Sequence, residues 1–196
     1  MDFTLAEGAQ LTAQLAMGIS LAACAGLRAF LPLLIVGVAG RMDLVPLSSS
    51  FEWLSGWPAI TVFSVAVVAE LAGDKFPVVD NFLDVVQGFA KPVAGTILVA
   101  GMVTDLGGLQ TAVLSIVTGG AVAGGVHLTK SRLRAASTVT TACFGNPLLS
   151  FAEDGVSLAG SFLALIAPIV AFVMMLVFFV VGILLLRKIR LPRAAT

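Results

Sequence analysis

The stretch ELAGDKFPVVDNFLD, Glu70 to Asp84, holds Glu70, Asp74, Asp80 and Asp84, four of the eleven acids of a 196-residue chain, together with Lys75. Carboxylates gathered among apolar residues suit two kinds of chemistry. A buried one can carry a proton or hold a cation's charge. A pair at i, i+4, as Asp80 and Asp84 are, offers the hard oxygen ligands that Mg²⁺ or Ca²⁺ takes. Arg28 supplies an obvious counter-charge, since it is the only charged residue between Glu7 and Arg41 and lies too deep in that apolar run to snorkel. An ionisable residue in such a place is a functional-site hypothesis by default. The expectation is that Arg28 meets one or more of these carboxylates.

A second polar group lies in CFGNPLLSFAED, with Asn146, Ser150, Glu153 and Asp154. The residue before a proline is pushed away from helical geometry, so the backbone near Asn146 is expected to break. Broken backbone survives in a membrane only where it is buried in protein or lines a water-filled cavity. Its carbonyls, with Asn146, Ser150 and the upstream Thr138, Thr140 and Thr141, would then hold an ion or a polar headgroup. The alternative is a loop with a proline turn.

The acidic stretch has a competing reading too. Asp80, Asp84, Gln87 and Lys91 recur at steps of four, three and four, within about 60° of one another on a helix. Val78, Phe82, Val85, Val86 and Phe89 line the other side, which makes 76–91 an amphipathic helix lying at the membrane surface or folding back against the bundle. A surface helix on an anionic leaflet is usually basic, and this one presents two aspartates to one lysine. His127, followed by Lys130, reads as an interface anchor in preference to a proton relay.

The elements that must position these residues are membrane spans. The chain is 59% hydrophobic and 11% charged, against about 25% charged in a soluble domain. Mean hydropathy is +1.07. A net charge of zero lacks the footprint of a nucleic-acid binder. Cys24 and Cys143 sit in apolar stretches and read as small hydrophobes. LAAC, Leu21 to Cys24, resembles a lipoprotein cleavage box, but no basic residue precedes it and the apolar run continues past it.

With about 20 apolar residues per crossing, the candidate spans are Gln10–Gly40, Trp57–Gly73, Pro92–Thr104, the run between Asp105 and His127, Ala135–Ala152, and the run from Gly155 to Leu186. About six spans put both termini on one side, and RKIRLPR places that side in the cytoplasm by the positive-inside tendency. Lys75, Lys91, Lys130, Arg132 and Arg134 then join it, leaving Arg41 alone opposite. The expectation is an all-α polytopic protein of the cytoplasmic (inner) membrane. Its single transmembrane domain divides into halves 10–104 and 106–187. Three spans per half suggest an inverted repeat, against a bundle with no internal symmetry. Gly18, Ala22 and Gly26, and likewise Gly120 and Gly124, are spaced by four and predict close helix packing or a homo-oligomer seam.

GLRAFLPLLIVGVAGR, the E…DKFPVVDNFLD…KPVAG run and NPLLSFAED together resemble a family of small bacterial membrane proteins classed as a domain of unknown function. The resemblance covers roughly Gly18 to Val170. It implies a multi-pass fold and puts Arg28, Glu70, Asp74, Lys75, Asp80 and Asp84 in one site. It implies no activity.

Three functions follow from these residues. A small transporter or channel-like permease would use an acid-lined site with Glu70 and Arg28 at its centre, for a cation or a proton-coupled solute. A lipid-phosphate flippase or lipid-handling protein would grip a headgroup with Arg28, Lys75 and Lys91. A scaffold would use the small-residue faces for assembly. Enzymatic chemistry has the least support, with no HExxH, GxSxG or Walker loop in the chain. No cofactor is expected beyond a divalent or monovalent cation. The expected partners are the bilayer and a small ion, solute or headgroup.

Overall fold

The computed structural model describes residues 5–73, 77–141 and 146–188, the side chains of 77–85, 135–141, 146–148 and 185–188 excepted. It is an all-α polytopic membrane protein, with no strand among the described residues. Among the described residues eight α-helices follow in order: α1 (Leu5–Leu27), α2 (Phe30–Arg41), α3 (Trp57–Gly73), α4 (Pro77–Met102), α5 (Gly108–Ser115), α6 (Ala121–Thr141), α7 (Asn146–Ile166) and α8 (Pro168–Lys188). A 3₁₀ helix, Ser49–Ser55, precedes α3, and a π-helical stretch, Ile116–Gly120, joins α5 to α6.

Proline marks where the helices start. Pro32, Pro58, Pro77, Pro147 and Pro168 each fall in the first turn of α2, α3, α4, α7 and α8. There the amide that proline lacks would have no helical partner anyway. This punctuation redraws the spans read from hydropathy. The run Gln10–Gly40 is two helices, because Pro32 begins a new one just after Arg28. The run from Gly155 to Leu186 is split at Ala167, and α7 begins back at Asn146, so Glu153 and Asp154 lie on a helix and not in a loop. Pro92–Thr104 is the second half of α4, whose first half is the amphipathic segment. Ala135–Ala152 straddles the end of α6 and the start of α7. Three stretches are long and apolar enough to cross a membrane, Leu5–Leu27, Gly108–Arg134 and Leu149–Ile166. The 3₁₀ helix with α3, bent by 61°, makes a fourth if counted as one span.

The chain turns back at Arg28–Ala29. Gly18 of α1 packs on Val99 of α4, and the Leu27 carbonyl reaches Lys130 of α6. From there α2 carries Gly37 back against Leu54, which itself lies on Gly101 near the end of α4. Later, α7 runs against α1, with Asp154 beside Arg28 and Ser157 donating to the Cys24 carbonyl at 3.2 Å. Helix α8 then returns alongside α6, Phe179 against Gly125 and Gly182 against Thr129. Leu5 and the end of α8 therefore lie toward opposite ends of the bundle. The turn at Arg28 reverses the chain inside a run that hydropathy reads as continuous, and α2, at 12 residues, is shorter than a crossing needs.

Small residues set the closeness of the centre. The Gly95 and Gly119 backbones touch, so that a Cβ on either would strike the other's carbonyl. Gly26 lies against Ala123 and Val126, and Gly120 and Gly124 against Thr96 and Pro92. Both small-residue faces are thus occupied inside the chain, as close backbone approach in lipid requires. Gly95→Ala should lower the unfolding temperature in detergent, at a cost of about 1–3 kcal/mol for overpacking. Gly155→Ala, with nothing within 4 Å of the added carbon, should change stability by no more than about 0.5 kcal/mol. Equal stability of the two variants would contradict the close crossing.

Candidate functional site

The helix break at Arg28–Ala29 leaves carbonyls at the end of α1 and amides at the start of α2 without helical partners. Both ends find a charged side chain from another helix. Glu70, on α3 and buried, accepts from the Ala29 amide at 3.1 Å through Oε1 and from the Phe30 amide at 3.5 Å through Oε2. Lys130, on α6 and also buried, donates to the Leu27 carbonyl at 3.1 Å. The signs match the helix dipoles, an anion at the N-terminus of α2 and a cation at the C-terminus of α1.

Around this break lies a layer of buried charge. Arg28 is in ionic contact with Asp154 of α7 and donates to Ser150 Oγ at 3.2 Å. Arg134 donates to the same oxygen at 2.9 Å and pairs with Glu153 at 3.2 Å. Lys130 pairs with Glu153 at 2.9 Å. Lys91, at the middle of α4, is 0% exposed, and its Nζ lies 3.1 Å from Nδ1 of His127. Among the described residues, Arg28 and Lys91 lie within electrostatic reach of Glu70. Elements from both ends of the sequence therefore share one polar layer.

The direction of the stripe on α4 follows from burial. Gln87 and Lys91 are buried while Phe89 is 80% exposed, with Val86 and Val93 exposed beside it. The polar side faces the protein and the apolar side faces outward, the reverse of a helix lying in water. Lys91 and Lys130 are accordingly not loop charges, and the charge asymmetry read from the sequence loses both.

The sequence-predicted residues divide into those brought together and those outside the described side chains. Arg28, Glu70, Ser150, Glu153 and Asp154 converge on the layer. Arg28 was expected to meet the acidic stretch, and the ion pair described for it is with Asp154 of the second group. Glu70 grips backbone amides. Asp74 and Lys75 lie outside the described residues; Asp80 and Asp84 fall on α4 and Asn146 opens α7, but their side chains, like those of Thr138, Thr140 and Thr141, are outside the description. No cluster of three His, Cys, Asp or Glu residues with metal-ligand geometry occurs among the described residues. The Asp80–Asp84 metal site falls outside them.

Sequence reading missed Lys130 and Arg134 as site residues and took His127 for an anchor. A signal was present. His127, Lys130 and Arg134 are spaced by three and four, one face of a helix, the same periodicity that drew attention to Asp80, Asp84, Gln87 and Lys91.

The chain belongs to the family described as Domain of unknown function (DUF4126), which it matches over residues 15–188. No curated protein and no solved structure matches it.

The shared carboxylate makes an asymmetric prediction. Glu153→Leu removes the carboxylate that Lys130 and Arg134 share and should cost about 3–5 kcal/mol, the penalty of breaking a buried pair by removing one partner. Lys130→Met leaves Glu153 paired with Arg134 and should cost clearly less. Unfolding of the two variants in detergent measures the order, and a reversed order would contradict the bridging role of Glu153.

Proposed function

We propose that this protein is a small permease whose substrate passes through the polar layer at the Arg28–Ala29 break. One observation carries the reading: a helix is interrupted among apolar residues, and each broken end is held by a buried charged side chain from another helix. Discontinuous helices lined by charge are how membrane transporters build binding sites. The grip is also releasable. Glu70 holds α2 through two hydrogen bonds to its amides, and a proton or cation arriving at that carboxylate weakens both at once. Loading of the site and movement of α2 are then one event.

A lipid-handling role is favoured by a separate feature. Two adjoining cavities, of about 220 and 280 Å³, share Leu27, Val126, Val156, Phe178 and Phe179 between α1, α6, α7 and α8. Lys130 and Glu153 line one end of this apolar cleft, which suits an alkyl chain with a charged head.

Thermal unfolding of the protein in detergent tests both readings, against Na⁺, K⁺, Mg²⁺, inorganic phosphate and dodecyl phosphate. A ligand that binds only the folded state stabilises it, by about 2.7 kcal/mol at a hundred times its Kd. The permease reading expects a small ion to stabilise wild type and not Glu70→Gln. Stabilisation by dodecyl phosphate alone, unaffected by Glu70→Gln and abolished by Val156→Trp, would replace it with the lipid reading.

A further inference from the structure

Helix α3 leans on α2 and stands off from α4, and the gap is an apolar groove of about 620 Å³. Leu54, just before α3, lies on Gly101 near the end of α4, while Glu70 near the end of α3 lies toward Lys91, so the two helices run in opposite directions. Trp53, Gly56 and Pro58 therefore stand at one end of the groove and Phe30, Phe63 and Ala90 at the other. Along α4 the lining runs from Ala90 to Ile97, about 10 Å at 1.5 Å per residue. Val62 and Val93 line it from α3 and α4 and are 63% and 57% exposed, so it opens sideways toward the bilayer.

The lining carries no ionisable residue; charge stands at the mouth. Arg41, the last residue of α2, donates to the Ser55 carbonyl at 3.4 Å and lies over Trp57, 4.2 Å from the ring centroid. Ser55 and Trp57 are the two neighbours of Gly56, which puts the guanidinium beside the outer end of the groove. Glu52 is one 3₁₀ turn before Ser55, whose hydroxyl donates to its carbonyl at 2.7 Å, and Asp43 follows α2 closely. Arg41, Asp43 and Glu52 are all exposed, and none of them forms an ion pair among the described residues. Trp53 and Trp57, also exposed, are the residue type that gathers at membrane–water interfaces, so the mouth sits at headgroup depth.

We propose that this groove holds one zwitterionic phospholipid of the bilayer, with an alkyl chain along α3 and α4, the phosphate on Arg41 and the ammonium toward Glu52. The site does not depend on the permease reading. In a bilayer apolar burial by itself gains nothing, so the headgroup has to supply the selectivity. A guanidinium fork with donors to spare recognises phosphate. Two acids flank that one base, so a headgroup carrying only negative charge is repelled, while a zwitterion offers each sign its opposite. The chain tip ends against Phe30, whose amide Glu70 holds. A lipid seated there braces α3, and Glu70 with it, against the start of α2.

Native mass spectrometry of the full-length protein, released from detergent with dioleoyl phosphatidylethanolamine or dioleoyl phosphatidylglycerol added, tests the site. One phosphatidylethanolamine per chain should stay bound, about tenfold more tightly than phosphatidylglycerol. Arg41→Gln should weaken its retention about tenfold, and Glu52→Gln should erase the preference between the two lipids. Val93→Trp fills the groove from an exposed position and should abolish retention, while Val173→Trp, similarly exposed on α8, should not. Equal retention of the two lipids by wild type overturns the headgroup assignment. Retention unchanged in Val93→Trp, or lost just as fully in Val173→Trp, overturns the groove. If Val93→Trp does not fold, unchanged retention in Arg41→Gln overturns the site instead. A dimer mass without bound lipid, dispersed by Val93→Trp, would make the groove a seam between two copies and overturn the proposal.

Discussion

A helix interrupted among apolar residues exposes amides and carbonyls that nothing in a bilayer will satisfy. In this protein that requirement arises at Arg28–Ala29, and much of the remaining arrangement answers it. Glu70 must sit where α3 passes the start of α2, and Lys130 where α6 passes the end of α1. Each of those buried charges needs company in turn, which Glu153 gives to Lys130, and Arg28 and Lys91 give to Glu70. The charged layer is therefore a consequence of the break as much as a site built upon it. Its members come from α1, α3, α4, α6 and α7, so it also ties most of the bundle together.

Such a layer demands that helices approach closely, and glycine provides for that. The crossing of Gly95 and Gly119 puts backbone on backbone, and Gly26 lets α1 lie against α6 within a turn of Lys130. The π-helical stretch Ile116–Gly120 spans this crossing, placing an irregular turn where α4 comes nearest. Pro92 contributes an irregularity of its own, because it has no N–H to give the Gly88 carbonyl.

The polar stripe of α4 illustrates why amphipathicity alone does not say where a helix lies. In water the polar side faces out; in a bilayer the solvent is apolar and the preference reverses. Gln87 and Lys91 turn inward because the surrounding lipid is the better solvent for Phe89 and Val93. The periodicity was legible. Its sense was not, since one spacing describes a helix on the membrane surface and a helix through the membrane with charge at its core.

By itself the sequence determined what the solvent is, where helices begin, and which charges are anomalous. Hydropathy demands a membrane, prolines open five of the eight described helices, and Arg28, Glu70, Ser150, Glu153 and Asp154 are conspicuous as polar residues in apolar surroundings. These are local properties, carried by composition and by steric rules that act within a few residues. Only the tertiary structure decided how the charges are paired and which way the chain runs. Arg28 and Asp154 stand 126 positions apart, and Lys130 reaches a carbonyl on α1 that any helix could have presented. Hydropathy counts apolar residues without seeing a turn of two residues between them, so the reversal at Arg28 was invisible to it. Pairing and reversal are set by which helices pack together, and that choice is made by glycine contacts and buried charge acting across the whole chain.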